Sequence, residues 1–131
     1  AEHQLNEASL DVMRLYYGAG LVFLSKEGEH MRVDYTHNFS AGDRVLVIED
    51  VLTTGRSTLA ATEALAACGL TVVGVIAICD REQGGRSACE EHGYPTAAIF
   101  TARELLAAAR RARVATKEQH QECLAYLAQW Q

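Results

Sequence analysis

Val45–Ile48 (VLVI) is a continuous apolar run, mostly β-branched, and it leads straight into two carboxylates and a hydroxyl-rich glycine turn, EDVLTTGRST at 49–58. Such a run is typical of a strand buried on both faces of a parallel sheet. The helical stretch Leu59–Cys68 (LAATEALAAC) follows, with Gly69 where a helix C-terminal glycine belongs. A second apolar run, Thr71–Cys79 (TVVGVIAIC), comes next, then a short helix start at Ser87–His92 and a third short strand at Ala97–Phe100. Strands alternating with helices predict βαβ units and a mostly parallel sheet flanked by helices, an α/β fold.

The flanks fit that frame. Leu5, Ala8, Val12, Leu15 and Tyr16 recur at helical spacing, which predicts an amphipathic helix over roughly 4–17, closed by Gly18 and Gly20. Leu21–Leu24 (LVFL) reads as a short buried strand, and polar Ser25–Asp43 as a loop or ragged hairpin with Ala41–Asp43 as a turn. Thr101 with Glu104 and Thr116 with Gln119 have capping-box spacing, opening helices over about 101–112 and on to about Leu127.

The chain has 131 residues, which predicts a single domain over 1–131. It carries 12 basic against 17 acidic residues, a net charge of -5, and so lacks the basic balance of a non-specific nucleic-acid binder. Any anionic ligand must be attracted locally, against the overall field. Cys68, Cys79, Cys89 and Cys123 show no CxxC spacing, so reduced thiols and a cytoplasmic location are expected, with no protein-held metal. No apolar run is long enough to span a membrane and no secretory core opens the chain, so no membrane partner is expected.

The chemistry concentrates at 49–58. In open α/β sheets ligands bind at the carboxyl ends of the strands. Glu49 and Asp50 are expected at such an end, with Thr53, Thr54, Gly55, Arg56, Ser57 and Thr58 leading into a helix. Free N–H groups and the helix dipole make an anion site there, and Gly55 lets the backbone close around a phosphate. The hydroxyls of Thr53, Thr54 and Ser57 can donate to phosphate oxygens. Ionised carboxylates only accept, so Glu49 and Asp50 suit donating ribose hydroxyls, or a magnesium ion shared with a diphosphate. A ribose 5-phosphate bearing a 1-diphosphate meets all these demands. An ordinary capped helix start after strand-end charges is the plainer reading of TTGRST. The Walker sequence GxxxxGK[ST] and the dinucleotide turn GxGxxG are absent.

VLVIEDVLTTGRST resembles the phosphoribosyl-pyrophosphate signature of type I phosphoribosyltransferases. CDREQGG at Cys79–Gly85, roughly 30 residues on, carries the resemblance to the orotate phosphoribosyltransferases, over about residues 20–130. It implies that Glu49 and Asp50 contact the ribose 2- and 3-hydroxyls, that Thr53, Thr54, Gly55, Arg56 and Ser57 bind the 5-phosphate, and that Arg81 pairs with the orotate carboxylate. Gly84 and Gly85 are expected to shape their loop rather than touch ligand. Lys26 matches a lysine of the family's catalytic loop, and Lys26 and Asp50 are the implied catalytic residues. The implied reaction displaces diphosphate from ribose C1 by a pyrimidine nitrogen, through an oxocarbenium-like transition state, with Mg2+ bound through phosphoribosyl pyrophosphate. A homodimer is implied as well.

Two departures accompany the match. Ser25 stands where the family has arginine, and Glu29 falls where a second lysine is expected. The family's N-terminal hood and diphosphate loop have no counterpart in these residues, so an N-terminally shortened core is expected, the chain being a fragment, a piece of a larger polypeptide or a reduced relative. Two further readings therefore stand beside the orotate enzyme: a non-catalytic phosphoribosyl-pyrophosphate-binding regulatory domain, and a phosphoribosyltransferase for another base.

Overall fold

The structure, a computed structural model, describes residues 22, 24–27, 30–33 and 39–130. The first elements are a two-stranded antiparallel hairpin, β1 (Leu24–Glu27) and β2 (His30–Val33), paired Leu24 to Val33 and Lys26 to Met31. The ragged-hairpin expectation is met here. The strand expected at Leu21–Leu24 instead occupies Leu24–Glu27; Leu21 and Phe23 lie outside the described residues, as does the predicted helix at 4–17. The register follows cross-strand pairing, which sets half-buried Leu24 opposite buried Val33.

Then come β3 (Arg44–Leu52), α1 (Arg56–Ala67), β4 (Thr71–Asp80), α2 (Gly85–Glu91) and β5 (Thr96–Thr101). The three strands form one parallel sheet in the order β3-β4-β5, with Val47 beside Val75, Glu49 beside Ala77 and Ala77 beside Ala98. The α/β architecture expected from the alternating runs is present. Two further helices, α3 (Ala102–Arg111) and α4 (Lys117–Leu127), end in a 3-10 turn at Ala128–Trp130. Both capping boxes form: Thr101 Oγ1 accepts from Glu104 N and Glu104 Oε2 from Thr101 N, and Thr116 with Gln119 does the same.

The core sits on one side of the sheet. Val47 and Val75 pack with Leu65 of α1, with Leu70 and with Val33 of the hairpin. Nearer the carboxyl ends of the strands, Leu52 and Ala77 pack with Cys89 of α2. Fully burying each valine or leucine side chain among these contributes roughly 1.5–3 kcal/mol. Val75 and Ala77 share a face of β4, so both crossover helices lie on that face.

The opposite face departs from the expectation that Val45–Ile48 is buried on both sides. Ile48 is 62% exposed and Ile99 67%, and Leu46 and Ile78 are exposed too. Alternation turns Leu46 and Ile48 away from Val47, and α1 and α2 are both on the Val47 side. β3 also runs on past Ile48 through Leu52, so Glu49 and Asp50 are strand residues. Helix α1 starts at Arg56 rather than Leu59, because Gly55 already serves as its N-cap.

Candidate functional site

Past Asp50, β3 drives Leu52 into the core, where it is almost completely buried. The chain then bends through Thr53, Thr54 and Gly55 into α1. Gly55 has φ +81°, the left-handed region open to glycine at no steric cost. Being glycine, it offers no side-chain cap; its carbonyl accepts the Leu59 N–H at 2.8 Å. The N–H groups of the first turn, Arg56, Ser57 and Thr58, have no acceptor within the helix, and no acidic residue occupies that turn. Arg56, Ser57 and Thr54 are exposed and Thr53 is half-buried. Open N–H groups, three hydroxyls, one guanidinium and the positive end of a 12-residue helix are therefore concentrated at this junction, an arrangement that favours an anion.

The two carboxylates differ. Thr58, 1% exposed, donates its hydroxyl to Glu49 Oε2 at 3.0 Å. Burial pushes the Glu49 carboxyl above its ordinary value of 4.5, the Thr58 hydrogen bond draws it back down, and the charge of Asp50 adds to the rise. Asp50 is exposed, and its Oδ1 accepts the Val51 N–H at 2.7 Å. As neighbours on an extended strand they leave the backbone on opposite sides: Glu49 turns toward the start of α1, Asp50 away from it. Each keeps oxygen lone pairs for hydroxyl donors or a hard cation. Among the described residues no group of three or more His, Cys, Asp or Glu is placed to hold a metal ion.

The second motif is stitched to the first through the backbone. Arg81 N–H donates to Leu52 O at 2.9 Å and Gly85 N–H to Thr53 O at 2.8 Å. A Cβ built on Gly85 would come within 2.4 Å of Thr53 O and 2.9 Å of Gly55 N, so only glycine fits there. Gly85 does shape its loop, and in doing so it backs the turn that makes the anion site. Arg81 is exposed and lines a cavity of about 460 Å³ together with Cys79, Leu105, Cys123 and Tyr126.

Glu49, Asp50, Thr53, Thr54, Gly55, Arg56, Ser57 and Arg81 are thus collected at the carboxyl ends of β3 and β4. Lys26 is on β1, opposite Met31, in the hairpin rather than at the β3–α1 junction. Ser25 is on the same strand, and Glu29 lies outside the described residues. Three participants were not anticipated from the sequence. Thr58 holds Glu49; its place in the first turn, one helical turn's reach from the strand end, was the available signal. Glu82 and Arg103 form an ion pair at 3.2 Å across 21 positions, for which no local signal exists. Cys68, Cys79, Cys89 and Cys123 are joined by no disulfide, and Cys89 is the buried one among them.

Residues 28–89 match the phosphoribosyl transferase domain family. The chain is 44% identical over 80 residues to an orotate phosphoribosyltransferase of Aquifex aeolicus, a match covering 61% of this chain and 44% of that protein. The chain therefore spans less than half the length of this curated relative. Among solved structures it is similar to Leishmania donovani UMP synthase, with TM-score 0.77 and 27% identity, over 92% of this chain and 26% of the other. It is also similar to Mycobacterium tuberculosis orotate phosphoribosyltransferase in complex with 5-phospho-alpha-D-ribosyl 1-diphosphate, with TM-score 0.53 and 27% identity, over 70% and 53% of the two chains.

Proposed function

We propose that this chain, which carries a phosphoribosyl transferase domain at residues 28–89, holds phosphoribosyl pyrophosphate at the β3–α1 junction and serves the transfer of its phosphoribosyl group to orotate, giving orotidine 5'-phosphate and diphosphate. The observation that carries this reading is the pair of backbone bonds, Arg81 to Leu52 and Gly85 to Thr53, which joins the sugar-phosphate motif to the motif bearing Arg81. In this reading Thr53, Thr54, Gly55, Arg56 and Ser57 bind the 5-phosphate, while Glu49 and Asp50 accept hydrogen bonds from the ribose hydroxyls. Arg81 meets the orotate carboxylate, a bidentate task suited to a guanidinium. The hard oxygens of Asp50 and Glu49 would suit Mg2+ bound through phosphoribosyl pyrophosphate, and that ion would supply charge neutralisation for the diphosphate. The protein acts by positioning and by electrostatic stabilisation of an oxocarbenium-like state. Lys26 and Asp50 are the catalytic assignments. We take residues 1–131 as one domain, cytoplasmic and homodimeric, with no nucleic-acid or membrane partner.

Calorimetry with magnesium phosphoribosyl pyrophosphate tests the site: heat of binding is expected, and folded protein giving none overturns the assignment. Consumption of orotate with release of diphosphate establishes turnover. Binding without turnover favours the second reading, a non-catalytic regulatory domain. That reading is supported by Lys26 lying on a hairpin strand, and by Ser25 and Glu29 standing where the family has basic residues. Transfer to a base without a carboxylate would move the specificity away from orotate.

A further inference from the structure

Asp80, Arg81 and Glu82 are consecutive, so a carboxylate stands on either side of Arg81 in the chain. Neither carboxylate pairs with it here. Asp80 is 7% exposed, and its Oδ1 accepts the Glu82 N–H at 2.8 Å. Glu82 has φ +57°, a left-handed conformation uncommon in a residue with a side chain. That twist sends its carboxylate to α3, where Oε1 meets Arg103 Nε at 3.2 Å and Oε2 accepts the Arg103 N–H at 3.1 Å. Gln83, next in the loop, donates to the Tyr126 hydroxyl of α4 at 3.4 Å. Among the described residues Arg81 forms no ion pair, and it is exposed.

We propose that Arg103 is a positioning residue for base recognition: by holding Glu82 on α3, it leaves the Arg81 guanidinium free for the carboxylate of the incoming base. The role of Arg81 rests on the function proposed above; Arg103 itself touches no substrate. Its Nη2 is buried with no hydrogen-bond partner among the described residues. The pair with Glu82 accounts for an arginine at this position. Without the Arg103 side chain, Glu82 keeps only the backbone N–H bond to Oε2; its Oε1 is freed one residue from Arg81 and competes with the substrate for it.

Residue-resolved modification of arginines by phenylglyoxal, read by peptide mass spectrometry, tests the arrangement without requiring activity. Arg103→Ala should slow labelling of Arg81 by about threefold, the scale of an exposed ion pair. Adding Glu82→Gln should restore the wild-type rate, and Glu82→Gln alone should leave it unchanged. Arg103→Met, which keeps an apolar stem, repeats the test should Arg103→Ala not fold. In the binding arm, with magnesium phosphoribosyl pyrophosphate present, Arg103→Ala should weaken orotate by a similar factor and leave uracil, which has no carboxylate, unchanged. An unaltered labelling rate in folded Arg103→Ala and Arg103→Met, or no recovery in the double variant, overturns the proposal. Wild-type protein that shows the labelling pattern but binds no orotate overturns the assigned base and leaves the charge arrangement standing.

Discussion

Gly85 donates its backbone N–H to the carbonyl of Thr53 across 2.8 Å, so the loop after β4 is locked against the turn that opens α1. A Cβ at position 85 would meet Thr53 O at 2.4 Å, Gly55 N at 2.9 Å and Leu52 Cγ at 2.9 Å, and two of those atoms are backbone. Gly85→Ala should therefore push the two loops apart and destabilise the protein by about 1–3 kcal/mol. Binding of phosphoribosyl pyrophosphate should weaken in step. Urea unfolding and calorimetry on the same preparation check this, and an unchanged unfolding midpoint would contradict the contact.

Thr58→Val keeps the volume of a side chain that is nearly inaccessible and removes its hydroxyl. Glu49 then loses its 3.0 Å donor. The expected cost is about 1 kcal/mol. Because that hydrogen bond draws the Glu49 carboxyl downward, its removal should raise the titration midpoint further. A midpoint that stays put or falls, followed by NMR of the side-chain carboxyl carbon, would mean the bond does not form.

Glu49 also predicts a pH dependence. Burial holds its carboxyl above 4.5 in the folded state, so the folded protein binds this proton more tightly than the unfolded chain does. The associated stability is fully present below the unfolded value and is lost as pH rises through the raised folded value. Glu49→Gln should flatten that segment of the stability–pH curve. Relative to wild type, the variant should gain stability toward neutral pH, and the difference should change little once Glu49 is ionised in both the folded and the unfolded state. Parallel curves across the acid range would count against a perturbed Glu49.

Asp50 is exposed, and its Oδ1 accepts the N–H of the adjacent Val51. Asp50→Asn should leave the unfolding free energy within about 0.5 kcal/mol of wild type. Affinity for magnesium phosphoribosyl pyrophosphate should nevertheless fall. Equal affinity in the two proteins would remove Asp50 from the site.

Thr101→Ala deletes the cap of α3 and should cost about 1 kcal/mol. Since α3 carries Arg103, the same change should loosen the Glu82 pair, whereas Thr116→Ala should cost a similar amount through α4 and leave that pair intact. Thermal unfolding of both variants, with NMR of the Arg103 Nε–H, separates the two effects.

Local signals in the chain were legible because their physics is local. The capping boxes at Thr101 and Thr116 join residues three apart, and Gly69 follows α1 as its pattern requires. Strand β3 and the glycine turn could be read because the apolar run, the carboxylates and the hydroxyls are contiguous. The exposed side of the sheet was not legible: VLVI looks the same whether one face or both are covered, and the side taken by α1 and α2 is a property of the crossovers. The first strand was expected too early, at Leu21–Leu24, for a related reason, since Leu24 opposite Val33 is a pairing across nine positions rather than a run.

Within the candidate site, Val45–Thr58 by itself pointed to the type of ligand proposed, because an acceptor pair beside an N-terminal helix turn suits a phosphate with neighbouring hydroxyls. Cys79–Gly85 by itself brought an arginine to the end of the next strand. Tertiary structure decided the rest: that Gly85 backs Gly55, that Thr58 holds Glu49, and that Arg103 draws Glu82 away from Arg81. Each of these joins groups 9 to 30 positions apart in the chain. Such contacts depend on strand register and helix placement, which come from packing of the whole sheet and leave no trace in the spacing of the residues that make them.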